Sequence, residues 1–153
     1  MDIDNIFSSL IKEIGYQNNK TVVINKVVMN SKEVEKNNLF VAIRGGNAYA
    51  NEALEKGAFV IYDDNTINLN SNPNSFLVDD SVKFMQKLAH QWRNTLNIKI
   101  IGITGSNGKT TVKDMVFQLL STKYKGKKTE GNYNNHIGLP FTLLRSEKND
   151  DFM

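Results

Sequence analysis

The chain has 153 residues, of which 40% are hydrophobic and 23% charged, ordinary values for a globular protein long enough to bury a core without staples. It contains no cysteine, which excludes disulfides and thiolate metal sites, and its net charge of +3 comes from scattered lysines with no basic stripe for nucleic acid. No apolar run approaches the roughly 18 residues of a membrane helix, so a cytoplasmic protein with neither a membrane nor a nucleic-acid partner is expected.

Ile3, Ile6, Phe7, Leu10, Ile11 and Ile14 recur at helical spacing and predict an amphipathic helix ending near Gly15. Its acidic start, MDID, and its interrupted apolar pattern are not those of a signal peptide. Two β-rich runs follow, TVVI at 21–24 and LFVAI at 39–43, with the polar stretch NSKEVEKNN between them. RGGN at 44–47 turns the chain into a short helix, AYANEALEK, which Gly57 ends. FVIY at 59–62 and SFLV at 75–78 read as strands, joined by the polar loop DDNTINLNSNPN. Asp79 and Asp80 read as the N-terminal cap of a long helix carrying Val82, Met85, Leu88, Ala89, Trp92 and Leu96 on one face. IKIIGIT at 98–104 predicts a fully buried strand. Val112, Met115, Val116, Leu119 and Leu120 then mark a further helix.

Strands alternate with helices throughout, so the fold class is α/β. The expected division is a small N-terminal α/β domain over 1–80, a connecting helix over 81–97, and the start of a parallel-sheet domain over 98–153.

The last strand and helix flank GITGSNGKTT at 102–111. A strand, a glycine turn and Lys-Thr opening a helix form the context of a phosphate-binding loop, although Ile103 stands where the common pattern places its first glycine. Gly105 and Gly108 permit positive φ, so that backbone N–H groups, with those of Ser106 and Asn107, point at phosphate oxygens. The helix beyond adds its first-turn donors and the positive end of its dipole. Lys109 is the residue to neutralise the β- and γ-phosphates, Thr110 the Mg²⁺ ligand, and Thr111 a second hydroxyl. A lysine in a buried turn needs an anionic partner, which argues for ATP over a bare structural turn. No G-x-G-x-x-G exists for a dinucleotide.

TGSNGKTT resembles the ATP loop of the Mur ligase family, the ATP-dependent amide-forming enzymes of peptidoglycan assembly. GNYNNHIGLPFTLL at 131–144 is similar to the asparagine-rich segment of the member that joins D-Ala-D-Ala to UDP-MurNAc-tripeptide. NSKEVEKNNLFVAIRGGN at 30–47 is similar to the N-terminal pattern of the later-acting members, with Asn30 and Lys32 where that pattern carries aspartate and arginine. The resemblance implies a substrate-binding N-terminal domain followed by the beginning of a P-loop ATPase domain. It implies ATP and Mg as cofactors, Lys109 as the catalytic residue, and Ser31, Asn134 and Asn135 as substrate-binding residues. ATP would convert the tripeptide carboxylate to an acyl phosphate, which the amine of D-Ala-D-Ala attacks. The family's metal-binding glutamate, modified lysine and C-terminal domain have no counterpart in these residues, so the 153 residues alone are expected to show no ligase turnover. The alternative is a naturally short, non-catalytic module that binds nucleotide or substrate. His90 and His136 have no partner at ligand spacing and read as structural or surface residues.

Overall fold

The computed structural model describes residues 2–17, 21–69, 71–131, 133 and 135–153. The chain forms two compact units, Met1–Leu88 and Ala89–Met153.

The first unit is a four-stranded parallel sheet in the order β1-β2-β3-β4, with β1 Lys26–Val28, β2 Asn38–Val41, β3 Phe59–Tyr62 and β4 Ser75–Leu77. Every residue of β2 and β3 is buried, as a parallel sheet covered on both faces requires. Alternation along the strands sends Phe40, Val60 and Tyr62 to one face, where Val28, Val34, Ala50, Ala53 and Leu69 join them. On the other face α1 (Ile3–Glu13) inserts Phe7, whose ring meets Phe59, Phe76 and Phe84 at centroid distances of 6.3, 5.4 and 6.0 Å.

The run 21–24 does not form the expected strand; β1 begins at Lys26. The Ile24 N–H donates to Asp4 Oδ1 at 2.8 Å, so a side chain of α1 takes the donor that a sheet neighbour would have used. The polar stretch after β1 contains a short 3-10 helix, Ser31–Glu33, in which the Asn30 side chain accepts from the Lys32 N–H. α2 spans Ala50–Glu55 and ends as expected at Gly57, with Gly57 N–H on Leu54 O and Ala58 N–H on Ala53 O. α3 spans Ser81–Arg93, and Asp80 Oδ1 accepts the Lys83 N–H at 2.9 Å in the capping role read from the sequence. Asp80→Ala should cost about 1 kcal/mol of stability in urea denaturation; an unchanged midpoint would show that Asp80 does not act as a cap.

The second unit holds α4 (Lys109–Ser121) and α5 (Gly138–Leu144). The expected buried strand at 98–104 is not formed as such. Residue Lys99 makes an isolated parallel bridge to Phe152, which also bridges Gly126. Lys99 N–H donates to Asp151 O, Met153 N–H to Lys99 O and Ile101 N–H to Met153 O. Ile100 and Ile101 remain 47% and 42% exposed. A parallel strand is buried throughout only when both its faces are covered, and the exposure of Ile100 and Ile101 shows that this run lacks such cover. α4 shows the same effect, with no buried residue and with Met115 and Leu119 at 65% and 72% exposure.

α5 was not anticipated, because glycine and proline fall within it. Pro140 occupies the first turn, where its missing N–H is no loss. Asn135 Oδ1 accepts from the Ile137 and Gly138 N–H groups at 3.1 and 2.8 Å and satisfies donors at the helix start. A Cβ on Gly138 would overlap the Tyr133 backbone.

Candidate functional site

The loop that precedes α4 is shaped by two glycines. Gly108 is the residue before the helix, with φ 77° and ψ 0°, and Gly105 has φ 150°. A side-chain-bearing residue at Gly108 would be strained, since the left-handed region costs an L-residue roughly 1–2 kcal/mol. This left-handed entry leaves Lys109, Thr110 and Thr111 as the first turn of α4, with their backbone donors at the open end of a helix of 13 residues. The first helical bond runs from Val112 N–H to Gly108 O at 2.9 Å.

Residues Gly105, Ser106, Asn107, Gly108, Lys109, Thr110 and Thr111 are all exposed. The expectation of a buried turn is therefore corrected, and the need for an anion cannot be argued from desolvation of Lys109. Lys109 Nζ instead donates to the Gly105 carbonyl of its own loop.

Lys109 and Thr110 line a cavity of ≈ 200 Å³, together with Lys113, Thr129 and Gly131. Ile101, Gly102, Ile103 and Leu139 make up the rest of its wall. Gly105 to Gly108 and Thr111 stand outside that wall, on the loop and helix start. Lys113, Thr129 and Gly131 were not among the residues expected from the sequence. Lys113 carried a usable signal, since it stands four residues after Lys109 and so on the same helix face.

The neighbouring charges are paired. Lys128 Nζ donates to Asp114 Oδ1 at 2.7 Å, and this bond holds the Asp114 carboxyl below its ordinary value of 3.8. Desolvation acts the other way, and the charges of Lys128 and Lys113 add to the lowering. A carboxyl with a depressed folded pKa stabilises the fold above its unfolded value, and that contribution is lost as pH falls through the folded value. The stability difference between wild type and Asp114→Asn should thus be present at neutral pH and vanish under acid below 3.8. Denaturation midpoints across pH check this, and a difference that stays constant into acid would contradict it.

The other sequence-derived candidates lie elsewhere. Ser31 opens the 3-10 helix of the first unit, half-buried, with its carbonyl accepting from Val34 N–H and Lys56 Nζ. Asn135 is in the second unit, and its oxygen serves the start of α5. Asn134 lies outside the described residues. For a divalent ion, Thr110 offers one hydroxyl, and among the described residues no group of three or more His, Cys, Asp or Glu could hold a metal. Magnesium at a phosphate site keeps several waters and is held by substrate phosphates with one or two carboxylates. Thr110 fits the hydroxyl ligand of a phosphate loop, and among the described residues no carboxylate lines the cavity beside it. No helix of the described residues is long and apolar enough to cross a membrane.

Residues 103–153 match the Mur ligase middle domain. The chain is 40% identical over 134 residues to the UDP-N-acetylmuramoyl-tripeptide--D-alanyl-D-alanine ligase of Bacillus subtilis (strain 168), covering 84% of this chain and 29% of that protein. It is 37% identical to the enzyme of the same name from Synechocystis sp., over 84% of this chain and 30% of that one. The crystal structure of MurF ligase from Thermotoga maritima in complex with ADP superposes with a TM-score of 0.71 at 36% identity, over 87% of this chain and 32% of that chain. A MurF crystal structure from Acinetobacter baumannii, at 22% identity and a TM-score of 0.78 over 97% of this chain and 34% of that chain, is alike in fold. The chain thus spans about 30% of the length of the curated relatives it matches. Sequence identity and fold likeness coincide on the loop-bearing unit and extend through most of the chain, and the chain belongs to the Mur ligase family.

Proposed function

We propose that this chain belongs to an ATP-dependent carboxylate–amine ligase of peptidoglycan precursor synthesis, which joins D-Ala-D-Ala to UDP-MurNAc-tripeptide in the cytoplasm. The observation that carries the reading is the left-handed Gly108 opening α4, with Lys109 and Thr110 facing one cavity. The names borne by the relatives support the substrate assignment.

In this reading the first unit, with Ser31, takes the UDP-sugar-peptide, and the second takes ATP. Backbone N–H groups of Gly105, Ser106, Asn107 and Gly108 donate to phosphate oxygens, as do the first-turn donors of α4. Lys109 leaves the Gly105 carbonyl and neutralises the β- and γ-phosphates. The Thr110 and Thr111 hydroxyls complete the polar rim, with Thr110 the residue to hold Mg²⁺. Asn134 and Asn135 contact the substrate, Asn135 through its amide nitrogen because its oxygen is already bonded. Bound ATP supplies the phosphoryl group that turns a poor electrophile, the carboxylate, into one an amine can attack. The chain's own share is charge neutralisation and alignment, which phosphoryl transfer requires more than it requires a protein nucleophile.

The reading is tested by titrating the chain with UDP-MurNAc-tripeptide and with UDP-MurNAc-dipeptide in a calorimeter. Tripeptide binding in preference to dipeptide is the expected result. Equal heats, or none from either ligand, would remove the substrate assignment and leave the family membership standing.

A further inference from the structure

We infer that Lys113 is a positioning residue that fastens segment 129–131 to α4, and so sets the cavity wall facing Lys109 and Thr110. The part of this that concerns nucleotide rests on the proposed ATP site.

Lys113 lies one helical turn beyond Lys109, and its ammonium is partly buried. It donates to Thr129 O at 2.7 Å and to Gly131 O at 3.4 Å. An ammonium has three donors and no acceptor, so two carbonyls converging on it are drawn to one point. Both carbonyls belong to residues of the same cavity wall, and residues 127–130 form no helix or strand. Outside α4, Lys127 N–H donates to Phe152 O and the Arg145 guanidinium to the Glu130 carboxylate. The neighbouring helix residue makes a parallel tie, Asp114 to Lys128. Two consecutive residues of α4 therefore grip the segment that leads into the asparagine-rich stretch.

The grip has a consequence for the site. If 129–131 moves outward, the cavity loses the part of its wall that Thr129 and Gly131 supply, and a ligand beside Lys109 and Thr110 is held less closely. Lys113 need not touch that ligand. Its role is carried by the carbonyls it holds, so an arginine, which also carries several donors, should replace it in part, whereas an isosteric apolar chain should not.

The test compares wild type, Lys113→Met and Lys113→Arg by amide hydrogen exchange, read on a peptide covering 127–131 and on peptides from α4, alongside ADP titration. Lys113→Met should speed exchange in 127–131 about tenfold, the scale of one charged hydrogen bond, with α4 unchanged. ADP affinity should fall by about the same factor, and Lys113→Arg should recover most of both. Unchanged exchange in Lys113→Met overturns the tether, and faster exchange with unchanged ADP affinity overturns the positioning role. If Lys113→Met loosens the whole unit, Lys113→Arg decides: protection at the wild-type level supports the donor role, and its loss overturns it. Should wild type fail to bind ADP, the proposed ATP site falls, while the exchange comparison still decides the tether.

Discussion

Lys109→Ala should weaken ADP binding about 100-fold, with little change in the stability of the protein. Each hydrogen bond from a charged donor to a ligand is worth about 1.5–3 kcal/mol, and an ammonium, with three donors, can bond more than one phosphate oxygen once it leaves the Gly105 carbonyl. The side chain is exposed, so its removal leaves no cavity, and surface changes of this kind stay within about 0.5 kcal/mol. Calorimetry with ADP and a urea melt on the same two proteins check both halves. An unchanged affinity would show that the loop does not bind phosphate through this lysine. Lost affinity together with lost stability would mean that the lysine's bond to its own loop matters more than its exposure suggests. Lys109→Arg is a useful third variant, because a planar guanidinium keeps the charge but not the compact point contact of an ammonium.

Phe7→Ala should be the most damaging substitution in the first unit. Phe7 is fully buried and sits at the centre of Phe59, Phe76 and Phe84, on the sheet face that α1 covers. Truncating a buried phenylalanine costs about 3–5 kcal/mol, from lost transfer energy and from the cavity left behind. Small domains have only about 5–15 kcal/mol in total, so a large share of the unit's stability rests on this ring. Urea unfolding followed by far-ultraviolet dichroism measures the loss. A cost below about 1 kcal/mol would mean that α1 collapses onto the sheet and refills the space, and that Phe7 does not anchor the helix.

Local patterns were readable where a segment meets its partners close by in the chain. The apolar spacing of Ile6, Phe7, Leu10 and Ile11 placed α1, and FVIY placed β3, because each buries its apolar face within one unit. The glycine loop and the start of α4 were readable for a similar reason. The glycines, the lysine and the helix beyond are consecutive residues, so their relation is set by the backbone between them.

Where a residue's partner is distant, spacing was silent. The N–H of Ile24 goes to Asp4, 20 positions earlier, and the strand expected at 21–24 begins instead at Lys26. Asn135 carries in sequence only the substrate-binding role that the resemblance implies, yet its oxygen accepts from Ile137 and Gly138 N–H at the start of a helix that contains a glycine and a proline. Spacing puts Lys113 on the helix face of Lys109, but it does not name the Thr129 and Gly131 carbonyls on which its ammonium rests. The run at 98–104 has the composition of a buried strand, but burial depends on neighbours, and Ile100 and Ile101 stand exposed. Composition and spacing record what each residue can do with water and with the few residues beside it. Which carbonyl a lysine reaches, and which apolar face is covered, depends on contacts between segments that the chain brings together only by folding.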